Sequence, residues 1–192
     1  MKEMDGKFYH TIESVEQYIK IAEGYDGKEL IDKLQNFLPK KSSVLELGSG
    51  PGKDLKILED IYDVTGSDYS SIFIELLKKN NSNIGILHLN AVTLETENHF
   101  DAIYSNKVLQ HLTDDELKES FQNQFDKLND NGIICHSFWE GTICEEMHGS
   151  LQNYHTIKEI EQLFFHLFDI LHLELYNEMA KNDSILLIGR KK

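Results

Sequence analysis

Between residues 44 and 54 the chain reads Val-Leu-Glu-Leu-Gly-Ser-Gly-Pro-Gly-Lys-Asp. An apolar run passes there into a glycine-rich turn and then into a helical pattern. Glycines at such a junction accept positive φ and let a ligand approach the backbone closely, and the helix start presents unpaired amides. The next apolar strand pattern, Asp63–Ser67, ends at Asp68. In a chain that alternates strands and helices, an acid at that position can accept both hydroxyl hydrogen bonds of a ribose. Together the two features predict a site for a nucleoside-bearing cofactor at the carboxyl ends of the strands.

Spacing decides among nucleotide-binding loops. A dinucleotide fingerprint counted from Gly48 requires glycine at position 53, where Lys53 stands. A phosphate-binding loop requires a Gly-Lys-Ser/Thr ending, and Gly52-Lys53 is followed by Asp54. The pattern present is Glu46-x-Gly48-x-Gly50-x-Gly52. An ordinary strand–turn–helix junction does not need three alternating glycines behind an acid.

The elements that must position this loop follow from periodicity. Ser14 to Gln17 and Asp26 to Glu29 read as capping boxes opening two helices. The second buries Leu30, Ile31, Leu34, Phe37 and Leu38 and stops at Pro39. Strands are expected at Ser43–Leu47, Asp63–Ser67, Ile84–Leu89, Phe100–Ser105 and Gly132–Phe138. Helices are expected at Lys53–Asp60 and Ser71–Lys79, after the capping box Thr113–Glu116, and after Thr156–Glu159. Ile170–Glu178 and Ser184–Arg190 are consecutive strands joined through Met179–Asp183. With no room for a crossover they pair antiparallel. The expectation is an α/β, doubly wound, mostly parallel sheet covered on both faces, with a reversed strand near one edge.

Composition bounds the rest. The chain has 192 residues, a formal charge of −14, two cysteines, and a single arginine, Arg190. One domain over residues 1–192 is expected, with residues 1–40 as a helical cap and 42–192 as the sheet-bearing core. No apolar run approaches the ~20 residues of a membrane span, and the start lacks a signal-peptide pattern. No membrane association and a cytoplasmic location are therefore expected. Phosphate neutralisation needs a basic footprint, which the charge balance lacks, so no nucleic-acid partner is expected. A neutral, amine-bearing or modestly polar small molecule suits the chain better. Nothing in the sequence distinguishes monomer from homodimer.

From Ser42 to Lys192 the sequence resembles the class I S-adenosylmethionine-dependent methyltransferases. The acid-led glycine turn Glu46–Gly52, including Ser49, matches the family's first-strand motif, and Asp68 matches its ribose-binding acid, with Tyr69 beside the adenine. Asn90-Ala91 stands where the family commonly has Asp-Ala reading the adenine edge. Phe100-Asp101-Ala102-Ile103-Tyr104-Ser105-Asn106, continuing into Val108-Leu109-Gln110-His111-Leu112, is similar to its central motif. The resemblance implies a seven-stranded sheet of order 3-2-1-4-5-7-6 and S-adenosylmethionine as cofactor, with S-adenosylhomocysteine as product. Glu46 is placed either to hold the turn's backbone or to reach the cofactor's amino group, and the resemblance favours the indirect role; backbone at Gly48 and Gly50 is expected to line the methionine moiety.

Methyl transfer is an in-line displacement in which alignment contributes much of the rate, and an O or N nucleophile that sheds a proton also needs a base. His111, behind the fourth strand, is the first candidate base, against a packing role; His136, inside the fifth strand, is a weaker one. Trp139 and Glu140 follow the fifth strand, where an aromatic face with a carboxylate suits a cationic acceptor, while Phe138 reads as core. Tyr9, Tyr18 and Tyr25 are candidates for a lid, with Tyr18 and Tyr25 reaching the acceptor, and Tyr154-His155 for the far rim. No Asn/Asp-Pro-Pro-Tyr/Phe follows the fourth strand and neither proline precedes a cysteine, which argues against nucleic-acid bases. The reading is a methyltransferase acting on O or N of a small molecule. Its rivals are a protein or peptide methyltransferase, a non-catalytic S-adenosylmethionine-binding protein and, last, a nicotinamide oxidoreductase. No metal site is expected.

Overall fold

The computed structural model describes Tyr9 and residues 11–80, 83–147 and 149–192. In chain order the elements are α1 (Ile12–Ile21), α2 (Lys28–Leu34), β1 (Ser43–Glu46), α3 (Lys53–Glu59), β2 (Asp63–Asp68), α4 (Ser71–Asn80), β3 (Gly85–His88) and β4 (Phe100–Asn106). They continue as α5 (Asp114–Lys127), β5 (Leu128–Trp139), β6 (Cys144–Met147), β7 (Ser150–Asn153), α6 (Ile157–Phe164), β8 (Phe168–Tyr176) and β9 (Ser184–Lys191). A seven-stranded sheet has the order β3-β2-β1-β4-β5-β9-β8. β1 to β5 pair in parallel, and β9 runs antiparallel between β5 and β8. This is the expected order, with the reversed strand one place in from the edge.

Both faces of the sheet are buried, which is why its central strands are continuous apolar runs rather than alternating ones. Leu45, Ile103, Ile134 and Leu187 join Leu117, Phe121 and Phe164 in one core. Their neighbours Val44, Ala102, Ile133 and Leu186 join Ile31, Leu34, Leu55 and Leu58 in the other. None of the helices among the described residues is long and apolar enough to cross a membrane.

Four details differ from the sequence expectation. α1 is capped by Thr11, whose Oγ1 accepts from the Ser14 amide at 3.2 Å, so Ser14 lies inside the helix rather than opening it. α2 starts from Gly27 without a side-chain cap; Asp26 accepts from Lys28 N at 3.0 Å and closes a local turn instead. That helix ends at Leu34, short of Pro39, and the intervening residues form turns. Between Trp139 and Tyr154, where no strand was expected, β6 and β7 pair as a hairpin. Both Thr113 and Thr156 make the capping boxes expected of them.

Gly27 is fixed by tertiary contact rather than by its own turn. Its amide donates to Asp54 Oδ1 at 2.6 Å, and a Cβ there would run into the Tyr104 hydroxyl and the Asp54 carboxylate. Gly27→Ala is therefore expected to destabilise the protein by about 1–3 kcal/mol, as overpacking does. Exposed Lys28→Ala next to it should stay within about 0.5 kcal/mol. Urea unfolding of the two variants checks the contrast.

Candidate active site

At the end of β1 the chain turns through Gly48, Gly50 and Gly52, all with positive φ (65°, 50° and 85°). The three glycines are not equivalent. A Cβ on Gly48 would meet Val108 Cγ2 at 2.5 Å, so the chain's own valine already requires glycine there. At Gly50 the nearest atom is Tyr18 Cε1 at 3.7 Å, which leaves a cradle beneath that ring. Ser49 ties the loop to β2, donating its amide to Ser67 O at 2.7 Å and accepting from Ser67 N at 3.1 Å on its hydroxyl.

Three carboxylates lie around this loop. Asp68 accepts from Gly50 N at 2.9 Å and from Ser70 N at 2.8 Å. Burial holds its carboxyl above the usual range although these amides oppose the shift. Asp54, in the first turn of α3, accepts from Gly27 N, from the Tyr104 hydroxyl at 2.7 Å and from Asn106 Nδ2 at 3.0 Å. Glu46 is 3% exposed, and its Oε2 is buried without a hydrogen-bond partner. Burial first, then repulsion from Asp54, pushes the Glu46 carboxyl well up, with Asp68 adding to the effect. A buried acceptor lacking a donor is costly, and one beside a glycine cradle is suited to a ligand that brings a cationic N–H group.

An aromatic cover closes over the loop. Tyr18 lies above Gly50, with Tyr9 edge-on to it at 5.4 Å and Phe73 at 5.9 Å. Tyr9 also meets the His111 ring at 5.9 Å. His111 belongs to a single 3₁₀ turn, Leu109–His111, and its Nδ1 lies 2.8 Å from Leu151 O in β7 and 2.9 Å from Ser150 Oγ. The hairpin that the sequence did not announce thus seats the candidate base. Burial lowers the His111 pKa, partly opposed by the Leu151 bond.

His136 is excluded from this site. Its Nδ1 pairs with Ser105 Oγ and its Nε2 with Gln124 Oε1, both at 2.8 Å, and burial pushes its pKa down to about 3. It belongs to a core network that runs through Gln124 and Ser120 to the carbonyl of Ala91. Phe138 is fully buried core, as expected.

Other candidates are dispersed. Tyr25 is 43% exposed and lines a surface hollow with Lys53, Lys56 and Asp60; its carbonyl accepts from Lys53 Nζ at 3.4 Å, just past the glycine turn. Tyr69 stacks on His88 at 5.8 Å beside Asp68. Asn90 Oδ1 accepts from Val92 N at 2.7 Å and shapes the turn that carries Ala91. Asn106 bridges Asp54 and the Ser137 hydroxyl, which donates to it at 2.5 Å. Glu140 ties the end of β5 to the β8–β9 turn, its amide donating to Asp183 O at 2.8 Å. Trp139 stacks on Tyr154 at 6.2 Å, and the cation on its ring is Lys107, 3.9 Å from the centroid. The face expected to receive a cationic acceptor is therefore taken by the chain itself. Gly27, Asp54, Tyr104 and Lys107 were not singled out as site residues from the sequence, although Asp54 closes the glycine-loop segment and Tyr104 lies in the fourth-strand motif.

The orphaned Glu46 oxygen, the cradle over Gly50 and the acid at the end of β2 fit a nucleoside bearing a cationic amino-acid tail. With the sheet order and the glycine turn after β1, they define a class I, Rossmann-like methyltransferase fold. The sequence matches the methyltransferase domain family over residues 21–180, and the chain belongs to that family, whose methyl donor is S-adenosylmethionine. It is 28% identical over 155 residues to the malonyl-[acyl-carrier protein] O-methyltransferase of Bacillus anthracis, covering 77% of this chain and 56% of that protein. The chain thus spans little more than half the length of this relative. Among solved structures, the 1,6-didemethyltoxoflavin-N1-methyltransferase of Burkholderia thailandensis superposes with a TM-score of 0.79 at 17% identity, covering 94% of this chain and 84% of that one. The N-methyltransferase NodS of Bradyrhizobium japonicum, in complex with S-adenosylhomocysteine, gives 0.72 at 14% identity, covering 88% and 90%.

Because Glu46 holds its proton more tightly folded than unfolded, its contribution to stability is present at low pH and lost as pH rises through its raised pKa. Glu46→Gln is therefore expected to raise the melting temperature of the ligand-free protein at neutral pH and to flatten this pH dependence. The same change should weaken S-adenosylmethionine binding about tenfold or more, as loss of a charged hydrogen bond does. Thermal melts between pH 5 and pH 9, with calorimetric titration of both proteins, check the opposed effects.

Proposed function

We propose that this chain transfers a methyl group from S-adenosylmethionine to an oxygen or nitrogen of a small molecule, with His111 as general base. The observation that carries the base assignment is the bond between His111 Nδ1 and Leu151 O. A carbonyl only accepts, so Nδ1 holds the proton and Nε2 keeps its lone pair. The lowered pKa keeps this imidazole neutral near pH 7.

In this reading Glu46 meets the amino group of the cofactor, Gly50 its methionine moiety, and Asp68, with Tyr69 beside it, its ribose and adenine. Ser49, Gly48 and Gly52 hold the loop's shape, Asn90 and Ala91 form the adenine-side turn, and Asn106 fixes the end of β4. When bound, S-adenosylmethionine supplies an electrophilic methyl group on a sulfonium centre. As the new O–C or N–C bond forms and the S–C bond breaks, His111 Nε2 takes the acceptor's proton. Tyr9 and Tyr18 cover the loop and exclude water, which supports alignment.

A small acceptor is supported by the modest cap, made of α1, α2 and the β6–β7 hairpin, and by the −14 charge, which disfavours polyanions. An acceptor carried on a protein is the second reading, and the similarity to the malonyl-[acyl-carrier protein] enzyme supports it.

Incubation with methyl-labelled S-adenosylmethionine and fractionated cell extract is expected to place label in the low-mass fraction. Label in macromolecules favours the second reading, and no label with intact binding favours a cofactor-binding protein without catalysis. Asp68→Ala should weaken cofactor binding by ~1–3 kcal/mol through lost buried hydrogen bonds. His111→Gln should lower kcat about 100-fold, within the usual range for loss of a general base. It should also abolish the acidic limb of the pH–rate profile while leaving S-adenosylhomocysteine affinity within about threefold. An unchanged rate and profile in His111→Gln would return His111 to a packing role.

A further inference from the structure

Lys107 follows Asn106 directly at the carboxyl end of β4 and adopts a left-handed backbone, φ 54°. That conformation is unfavourable for a side chain with a Cβ and persists where the surroundings enforce it. The side chain is only 12% exposed. Its ammonium lies 3.9 Å from the centroid of the Trp139 ring and 5.2 Å from that of Tyr176. It donates to Phe138 O and to Ser184 Oγ, both at 2.7 Å, and stands 3.3 Å from Glu178 Oε2.

Two aromatic faces, a carbonyl, a hydroxyl and a carboxylate are the components of a cage for an alkylammonium ion. Its walls are held from outside. Tyr176 donates to Glu178 Oε2 at 2.8 Å, and Asp183 shapes the 177–183 turn by accepting from the amides of Glu178, Met179 and Ala180. Trp139 is braced by Tyr154. Burial lowers the Lys107 pKa to about 8 while Glu178 opposes the shift, so the occupant is charged near pH 7. The cage sits at the carboxyl edge of β4 and β5 and adjoins Asn106, whose amide donates to Asp54 beside the glycine turn. A second cation brought to Trp139 would meet a like charge in a poorly solvated place.

We propose that Lys107 is a specificity-determining residue: by filling this cage with the chain's own ammonium, it closes the Trp139–Tyr176 face to amine cations. The bearing on acceptor choice rests on the methyltransferase reading; the occupancy of the cage does not.

Trp139 is the chain's single tryptophan, so its emission reports the cage directly. The test titrates protein saturated with S-adenosylhomocysteine against n-propylammonium chloride, which replaces the part of the side chain removed in Lys107→Ala. n-Propanol and sodium chloride at matched concentration are the controls. Wild-type emission is expected to show no saturable response to any of the three. Lys107→Ala should lose thermal stability and respond saturably to n-propylammonium alone, regaining most of the lost melting temperature. A saturable n-propylammonium response in the wild type overturns the proposal, as does a folded Lys107→Ala that does not distinguish the amine from the alcohol. Should Lys107→Ala unfold by itself, refolding from urea in n-propylammonium but not in n-propanol supports the proposal, and refolding in neither overturns it. Failure of the methyltransferase reading shows separately, as absence of S-adenosylhomocysteine binding to the wild type.

Discussion

Three carboxylates, those of Glu46, Asp54 and Asp68, are brought together beneath the glycine-rich turn, and much of the surrounding structure serves to keep them there. Burying acids is unfavourable unless donors meet them. Asp54 is met by the Gly27 amide, the Tyr104 hydroxyl and the Asn106 amide, which joins the start of α2 and β4 to the first turn of α3. Asp68 is met by the amides of Gly50 and Ser70, which fixes the glycine turn against the end of β2. Glu46 alone retains an unmet oxygen. Among these three carboxylates the folding of the site is thus a distribution of donors in which one acceptor oxygen, on Glu46, is left over.

The opposite side of the site is built on different terms. Around Lys107 each ammonium proton has an acceptor, and Asp183 is saturated by amides of its own turn. Satisfied networks of this kind rigidify rather than wait for a ligand. The β6–β7 hairpin extends the same principle to His111, whose tautomer is set by a backbone carbonyl. Glu46 thus keeps an electrostatic demand open, whereas the surroundings of Lys107 have closed theirs.

The sequence alone determined the architecture and the cofactor. Alternating apolar strands and helices, ending in two strands without room for a crossover, allow few arrangements other than a doubly wound sheet with one reversed strand. The turn Glu46–Gly52 and the acid at Asp68 are local in the chain, and local patterns survive in a sequence because backbone geometry and residue type fix them together. The caps show where this fails. Ser14 and Asp26 carried the right residue types, yet α1 is capped by Thr11 three residues earlier, and α2 starts at Gly27, whose amide is held by the distant Asp54 carboxylate.

Only the tertiary structure decided which side chains face one another. Trp139 with Glu140 reads as a cradle for a cation until β4 brings Lys107 onto the same ring. His136 and His111 are both plausible bases by position, but one is enclosed between Ser105 and Gln124 while the other is oriented by a hairpin contributed from residues 144–153. Residue type and spacing encode what an element is, through propensity and periodicity. Pairings such as Lys107 with Glu178, or Gly27 with Asp54, join residues far apart in the chain. They arise where the end of β4 meets the β8–β9 turn and the start of α2 meets α3, which no spacing rule within a single segment contains.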